Sequence, residues 1–253
     1  MKYFVFLVIT LSASLLTDLS AHSYVVVWNV GQGQWVTAVS PSSCIHFDMG
    51  GEFFPWEKIL RSCATKKNIV SLSHWDWDHI GALSKNPVRS QLKDLCIFLS
   101  PLGTSSARKM KLLKSFRSCE EALDLRPFDL QAGVDVWTPL KNKKSNEQSR
   151  VVLYKNILLP GDSPSTQEKI WRHLYWVRQS RVLILGHHGS ATSTSVELLQ
   201  SLPSLKLSIS SARWARYKHP HSATEYRLMK VHIPLLRTED WGNIWLEQVL
   251  SEK

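Results

Sequence analysis

The sequence predicts a layered α/β protein, and three observations carry that reading. Short β-branched, apolar runs come first and then alternate with stretches of helical spacing. Hydrophobic residues make up 43% of the 253 positions and charged residues 21%, ordinary globular usage that excludes a largely disordered chain. Several apolar runs stop abruptly at clusters of histidine, aspartate and glycine, as loops gathered at one edge of a sheet do. The length suits one large domain or two small ones. Lysine and arginine outnumber aspartate and glutamate by 31 to 21, which points to a polyanion or an anionic surface as partner.

Lys2 and the apolar run from Tyr3 to Leu16 form the start of a signal peptide, and Ala21-His22-Ser23 offers cleavage before Tyr24. The run, about fourteen residues, is shorter than the roughly 20 a membrane-spanning helix needs; an uncleaved anchor is the alternative. The expected organisation is a signal peptide over residues 1–23 and one domain over 24–253, in the periplasm or secreted. An oxidising compartment permits disulfides, and Cys44, Cys63, Cys96 and Cys119 allow three pairings. None has CxxC spacing, so a structural zinc cluster is not expected. One or two bridges are, with the connectivity open and four buried thiols as the alternative.

Residues 24–30 and 35–39 read as a hairpin around Gly31-Gln32-Gly33, and 44–48 as a third strand closed by Gly50-Gly51. Residues 54–63 have helical spacing, and 68–72 form a compact run fit for a buried strand. A strand over 95–99 precedes a basic amphipathic helix over 105–125, with Met110, Leu113 and Phe116 on one side. Strands over 134–137 and 151–154 flank a polar run, 141–150, expected to be an exposed loop. Residues 157–159 lead into Pro160-Gly161-Asp162. A helix over 165–175 opens with a Ser165-to-Glu168 capping pattern. A buried strand over 182–185 ends in Gly186-His187-His188-Gly189-Ser190, followed by a helix over 196–202, a strand over 205–209 and a helix over 223–229.

The densest chemistry follows the 68–72 strand, where His74, Asp76, Asp78 and His79 stand in His-Trp-Asp-Trp-Asp-His. In an extended segment His74, Asp76 and Asp78 share one direction while Trp75 and Trp77 turn the other way. Imidazole nitrogens and carboxylate oxygens suit zinc, manganese and iron. So many charges in one segment call for cations to neutralise them. Asp162 and the His187-His188 pair follow other apolar runs and supply further ligand types.

These residues resemble the metallo-β-lactamase superfamily, and within it the periplasmic nuclease-like domain of ComEC-type DNA-uptake proteins. The family pattern HxDxDHxGG is matched from His74 to Gly81, with Ala82 in place of the last glycine. Leu158 to Asp162, Leu185 to Ser190 with Thr192-Ser193-Thr194, and Arg216-Tyr217-Lys218-His219-Pro220-His221 are similar to further family segments. Asn29 to Gly33 and Phe47 to Gly51 complete the order, so the resemblance spans about residues 24–229.

The resemblance implies an αββα sandwich with a dinuclear metal site at one edge. His74 and Asp76 would sit on one ion, Asp78 and His79 on the other, and Asp162 between them. His188 would complete the set with His187 near the substrate, or the reverse, and Asp48 would support the ligands from behind. Asp76 stands where most of the superfamily has histidine, and no histidine occurs between His79 and His173, so the usual mid-chain histidine ligand is absent. An oxygen-rich set tilts two divalent ions toward manganese relative to zinc.

Such a site suits phosphodiester hydrolysis, with Asp78 at the reacting centre and His219 or His187 as proton donor or phosphate ligand. Ser190 would add a hydrogen bond. Lys109, Lys111 and Lys114, with Arg108, Arg117 and the lysines 141, 143 and 144, would neutralise the phosphates of a DNA substrate without reading bases. Trp75, Trp77, Trp214 and Trp241 serve either core packing or base stacking. The function expected is an exported DNase linked to DNA uptake or degradation, in a free-standing form that cooperates with a membrane channel or has left uptake. A phosphodiesterase for small or cell-envelope esters of the phosphocholine type, and a non-catalytic DNA-binding accessory protein, are the alternatives.

Overall fold

The computed structural model describes residues 23–120, 133–140 and 144–247. The first sheet takes β1 (Tyr24–Val27), β2 (Val36–Val39), β3 (Ser43–Phe47), β4 (Lys67–Ser71), β5 (Cys96–Leu99) and β6 (Arg117–Ser118). The second takes β7 (Val134–Trp137), β8 (Val151–Tyr154), β9 (Ile157–Leu159), β10 (Val182–Ile184), β11 (Leu207–Ser210) and β12 (Leu235–Arg237). The last described strand, β13 (Ile244–Glu247), returns to the first sheet beside β1. The orders are β13-β1-β2-β3-β4-β5-β6 and β12-β11-β10-β9-β8-β7.

Strict side-chain alternation turns these sheets into the middle of a four-layer sandwich. Val25, Val27, Val36, Ala38 and Phe47 of the first sheet meet Val152, Ile157, Leu159, Ile184 and Ile209 of the second in one core. The opposite parity, Val26, Trp28, Trp35, Cys44 and Val70, packs outward under α1 (Trp56–Cys63), α2 (Trp77–Ile80), α3 (Asn86–Gln91) and α4 (Ala107–Lys114). On the far side Val151, Leu153, Leu158, Leu183 and Leu185 pack under α5 (Ser165–Trp171) and α6 (Val196–Gln200). After the short α7 (Trp214–Tyr217), α8 (Ser222–Lys230) buries Leu228 against the same core, and α9 (Thr238–Trp241) precedes β13. The architecture is therefore the αββα sandwich. No helix among the described residues is long and apolar enough to cross a membrane.

Two disulfides join Cys44 to Cys63 and Cys96 to Cys119, so no described cysteine is free. Each closes a loop of 19 or 23 residues, worth about 3 kcal/mol in chain entropy. The second corrects the expected 105–125 helix. That helix ends at Lys114, because β6 pairs with β5 and Cys119 is tied to Cys96; residues 121–125 lie outside the described residues, as does the expected signal sequence, 1–22.

Two other expectations change. Glu168 forms no capping box with Ser165; it is buried, and its carboxylate accepts the backbone N–H groups of Thr194 and Ser195 at 2.5 and 2.8 Å. The 141–150 run is not simply exposed. Within its described part, residues 146–148 form a 3-10 turn, Gln148 and Ser149 are buried, and the loop folds onto the site.

Candidate metal centre

The parallel strands β3, β4, β9, β10 and β11 all end at the same edge of the sandwich. The loops that follow carry Asp48, His74 to His79, Asp162, the His187-His188 pair and Ser211. The segment after β4 is extended only as far as Asp76, which stands at the N-terminus of α2. Asp78 therefore arrives on a helical turn, with His79 beside it, rather than by the expected strand alternation. Trp75 packs into the core and donates to the Leu102 carbonyl at 2.7 Å, whereas Trp77 is exposed.

Two glycine segments let that turn approach so closely. A Cβ on Gly50 would lie 2.1 Å from the carbonyl carbon of Asp78. With glycine there, Met49 N–H donates to the His79 carbonyl at 2.7 Å and Gln34 N–H to the Asp78 carbonyl at 2.9 Å. Backbone contacts thus lock the two residues in place.

The ligand nitrogens are presented by specific partners. His79 Nδ1 is 2.7 Å from Asp48 Oδ2 and His188 Nδ1 is 3.1 Å from the Ser211 carbonyl, so both rings donate from Nδ1. Asp48 is itself held by Ser73 N–H, the Ser73 hydroxyl and Gln34, at 2.7, 2.7 and 2.9 Å. The Ser73 oxygen lies 2.9 Å from His74 Nδ1. Each Nε2 is thereby turned into one cluster, as carboxylate and carbonyl partners do for metal-binding histidines.

Asp162, 3% exposed, sits in the middle of it. Its Oδ1 is 3.0 Å from His79 Nε2 and 3.7 Å from His188 Nε2, and its Oδ2 is 3.6 Å from His74 Nε2 and 3.5 Å from His187 Nε2. His188 Nε2 is 3.2 Å from Asp78 Oδ2 and 3.3 Å from His79 Nε2, and Asp76 Oδ2 is 3.5 Å from His74 Nε2. Donors about 2.0–2.1 Å from a tetrahedral ion lie about 3.4 Å from one another, so these spacings fit a divalent metal. Buried atoms left without a hydrogen-bond partner include His74 Nε2 and Asp162 Oδ1, an unfavourable arrangement that a cation would resolve. His74, His79 and Asp162 form one group able to hold an ion, and Asp78, His79 and His188 another.

The electrostatics agree. Burial alone would lower the His79 pKa, but the carboxylates of Asp162 and Asp48 carry it well above the ordinary value. Burial alone would raise that of Asp162, yet His79, His188 and His74 hold it well below the carboxylate range. Asp78 is likewise lowered, the hydrogen bond from His188 and the charge of His79 outweighing burial. Asp76 is lowered first by the His74 ring beside it, whose Nε2 lies 3.5 Å from Oδ2. The cluster gathers carboxylate oxygens around imidazole nitrogens, where a metal would supply positive charge.

Other expected residues are placed as follows. A groove of about 700 Å³ opens beside Asp78 and is lined by Gln32, Trp77, Lys85, Arg108, His187 and His219 among others. His219 Nδ1 is 3.2 Å from Gln32 Nε2, whose Oε1 accepts Arg213 N–H, so Nδ1 is the acceptor and Nε2 carries the ring proton. Burial, then His188 and His187, lower its pKa to about 4. In this tautomer His219 brings an Nε2–H donor to the groove it lines. The Ser190 hydroxyl is paired within its own loop with Thr192, at 3.0 Å. Lys109 is mostly buried with Nζ 3.8 Å from Asp76 Oδ1, whereas Lys111 and Lys114 are exposed, so the basic helix does not present the three together. Lys141 and Lys143 lie outside the described residues.

Residues not singled out from the sequence also line the site. Ser145 donates to Asp76 Oδ1 at 2.8 Å, Asn146 lies 3.5 Å from the His187 ring nitrogens, and the Ser149 hydroxyl accepts Asp162 N–H at 3.1 Å. Nothing in a polar run between two strands signals such contacts; they depend on how the second sheet docks.

The fold is of the metallo-β-lactamase type. The metallo-β-lactamase fold protein YhfI of Bacillus subtilis superposes with a TM-score of 0.53, covering 88% of this chain and 99% of that one at 10% identity. Among curated proteins, the chain is similar to ComE operon protein 3 of Bacillus subtilis, 29% identical over 89% of this chain and 33% of the relative. Competence protein ComA of Neisseria gonorrhoeae is 29% identical over 85% of the chain and 31% of its own length. The chain thus spans about a third of these relatives. No family model matches it.

Proposed function

We propose that the chain is an exported, metal-dependent phosphodiesterase whose substrate is DNA, acting in DNA uptake or degradation. The observation that carries this reading is the convergence of His74, His79 and His188 Nε2 on the two oxygens of Asp162, beside a groove lined by Lys85 and Arg108. His74 and Asp76 would hold one ion, Asp78, His79 and His188 the other, and Asp162 both. Bound there, divalent ions supply Lewis-acid polarisation of a phosphodiester and activation of the attacking water. The oxygen-rich set favours manganese relative to zinc.

The chain's own residues do the rest. Asp48 and Ser211 keep His79 and His188 in the tautomer that leaves Nε2 available. His219 donates its Nε2 proton in a hydrogen bond to a phosphate or leaving oxygen. Lys85 and Arg108 neutralise neighbouring phosphates at the groove wall. The similarity to competence proteins supports a DNA-uptake setting, with a membrane channel as partner, and the two disulfides support an oxidising compartment. The complete ligand cluster argues against a purely DNA-binding role.

The test is hydrolysis of single- and double-stranded DNA and of a chromogenic phosphodiester by purified protein with Mn2+, Zn2+ or chelator. DNA cleavage that needs added metal is expected. Metal-dependent turnover of the small ester with no DNA cleavage would move the assignment to an envelope phosphodiesterase, and no turnover with any metal would refute the enzyme reading.

A further inference from the structure

The ion that His74 and Asp76 would hold has a single imidazole among the residues assigned to it. With Asp76 in place of a histidine and no histidine between His79 and His173, the His74 side of Asp162 has one imidazole, while the other side has His79 and His188. The structure brings a fourth imidazole to that poorer side. His187 Nε2 is 3.5 Å from Asp162 Oδ2, the oxygen that also faces His74 at 3.6 Å. Its neighbour His188 lies against the opposite oxygen, Oδ1.

Adjacent residues address two oxygens of one carboxylate because the backbone is bent to do so. His187 and His188 both adopt left-handed conformations, φ 48 and 57. Such values are uncommon outside glycine, although histidine adopts them more readily than most residues, and they persist where the surroundings favour them. The two rings diverge, 68° apart in plane and 6.1 Å between centroids. Asn146 lies against the His187 ring while Ser145 occupies Asp76 Oδ1, leaving Asp76 Oδ2 toward His74. The separation of His187 from Asp162 matches the roughly 3.4 Å between donors sharing a tetrahedral ion.

We propose that His187 is a ligand of the ion held by His74 and Asp76, so that each ion takes one histidine of the adjacent pair. This rests on the metal-dependent reading above. It gives His187 a coordinating role in place of a proton-transfer one, and it supplies from the second half of the chain the nitrogen that the middle lacks.

The test counts ions. Chelator-stripped protein is titrated with Mn2+ by calorimetry, and the dialysed product is examined for an exchange-coupled pair by electron paramagnetic resonance. His187→Gly tolerates the left-handed backbone, and His187→Asp returns an oxygen donor; circular dichroism checks that both fold. The unaltered chain should bind two ions. His187→Gly should keep one and bind the second at least tenfold more weakly with loss of the coupled signal, and His187→Asp should recover it. Two ions of unchanged affinity in His187→Gly would overturn the inference and leave metal dependence standing, as would a single ion in the unaltered chain. No bound ion in the unaltered chain would overturn both.

Discussion

Among the described residues histidine is buried in two places, and the two are satisfied in opposite ways. His46 is fully buried under the helices of the first sheet, and every polar atom around it has a protein partner. Its Nδ1 receives Trp35 Nε1 at 3.1 Å and lies 2.9 Å from the Thr37 hydroxyl, and its Nε2 faces Asn68 Oδ1 at 3.0 Å. Asn68 Nδ2 in turn donates to the carbonyls of Cys63, Lys66 and Lys93. At the sheet edge, His79 and His188 are as buried, yet their Nε2 atoms face each other at 3.3 Å with both Nδ1 atoms already committed. Only a proton or a cation can bridge them. Burial keeps His46 neutral, its pKa lowered to about 4 with the Asn68 bond opposing, while Asp162 and Asp48 overcome burial and raise that of His79. Burial therefore does not decide a histidine's role; the carboxylates beside it do.

The sharpest way to break the contrast is to remove the carboxylate at the centre. Asp162→Ala should lower metal-dependent turnover by more than about 100-fold, since it removes a ligand where loss of a mere supporting residue already costs about 10–100-fold. Circular dichroism should stay native, and steady-state rates at saturating metal are the check. Asp48→Asn should have the next largest effect, weakening metal affinity by about 10–100-fold because His79 loses the anion that orients it; calorimetric titration with Mn2+ measures it.

The other cluster responds to pH. His46 titrates near 6.5 when unfolded and at about 4 when folded, so its contribution is complete above pH 6.5 and lost as pH falls toward 4. The slope is about 1.4 kcal/mol per pH unit, about 3 kcal/mol in all. Urea unfolding at pH 7 and pH 5 should show it. His46→Gln should flatten that part of the dependence without changing the number of bound ions, and a change in ion number would erase the distinction between the clusters. The smallest effect belongs to the exposed lysines. Charge reversal at Lys111 and Lys114 should reduce the salt slope of DNA binding by at most about one for each phosphate no longer neutralised, with small-ester turnover unchanged. Lys109 is excluded from that test because it lies against Asp76.

Features set by local sequence were legible and those set by docking were not. The alternation of Val25, Val27, Val36 and Ala38 announces strands, and His74 to His79 announces a cluster able to hold metal, because each signal lies within a few residues. Asp162 and the His187-His188 pair stood out locally as interruptions of apolar runs and gained roles only through the family segments they resemble. β12 and β13 were not foreseen: β12 is only half-buried, and β13 is specified by pairing with β1, more than 200 residues away in sequence. Glu168 looked like a local cap and instead binds backbone N–H groups at residues 194 and 195, which are remote in sequence. Ser145 and Asn146 carried no signal, since a serine and an asparagine in a polar run read as loop until the loop is seen against Asp76 and His187.

A divalent-ion site around Asp162 should stabilise the folded chain when it fills. The most direct measurement is the thermal unfolding midpoint of chelator-stripped protein at pH 7.5, with and without Mn2+ at about 100 times its dissociation constant. Binding to the folded state alone should add about 2.7 kcal/mol per ion and raise the midpoint by about 5–10 °C for each ion bound, a shift that Asp162→Asn should largely abolish. An unchanged midpoint in the unaltered chain, with no ion retained after dialysis, would contradict a divalent-ion site there.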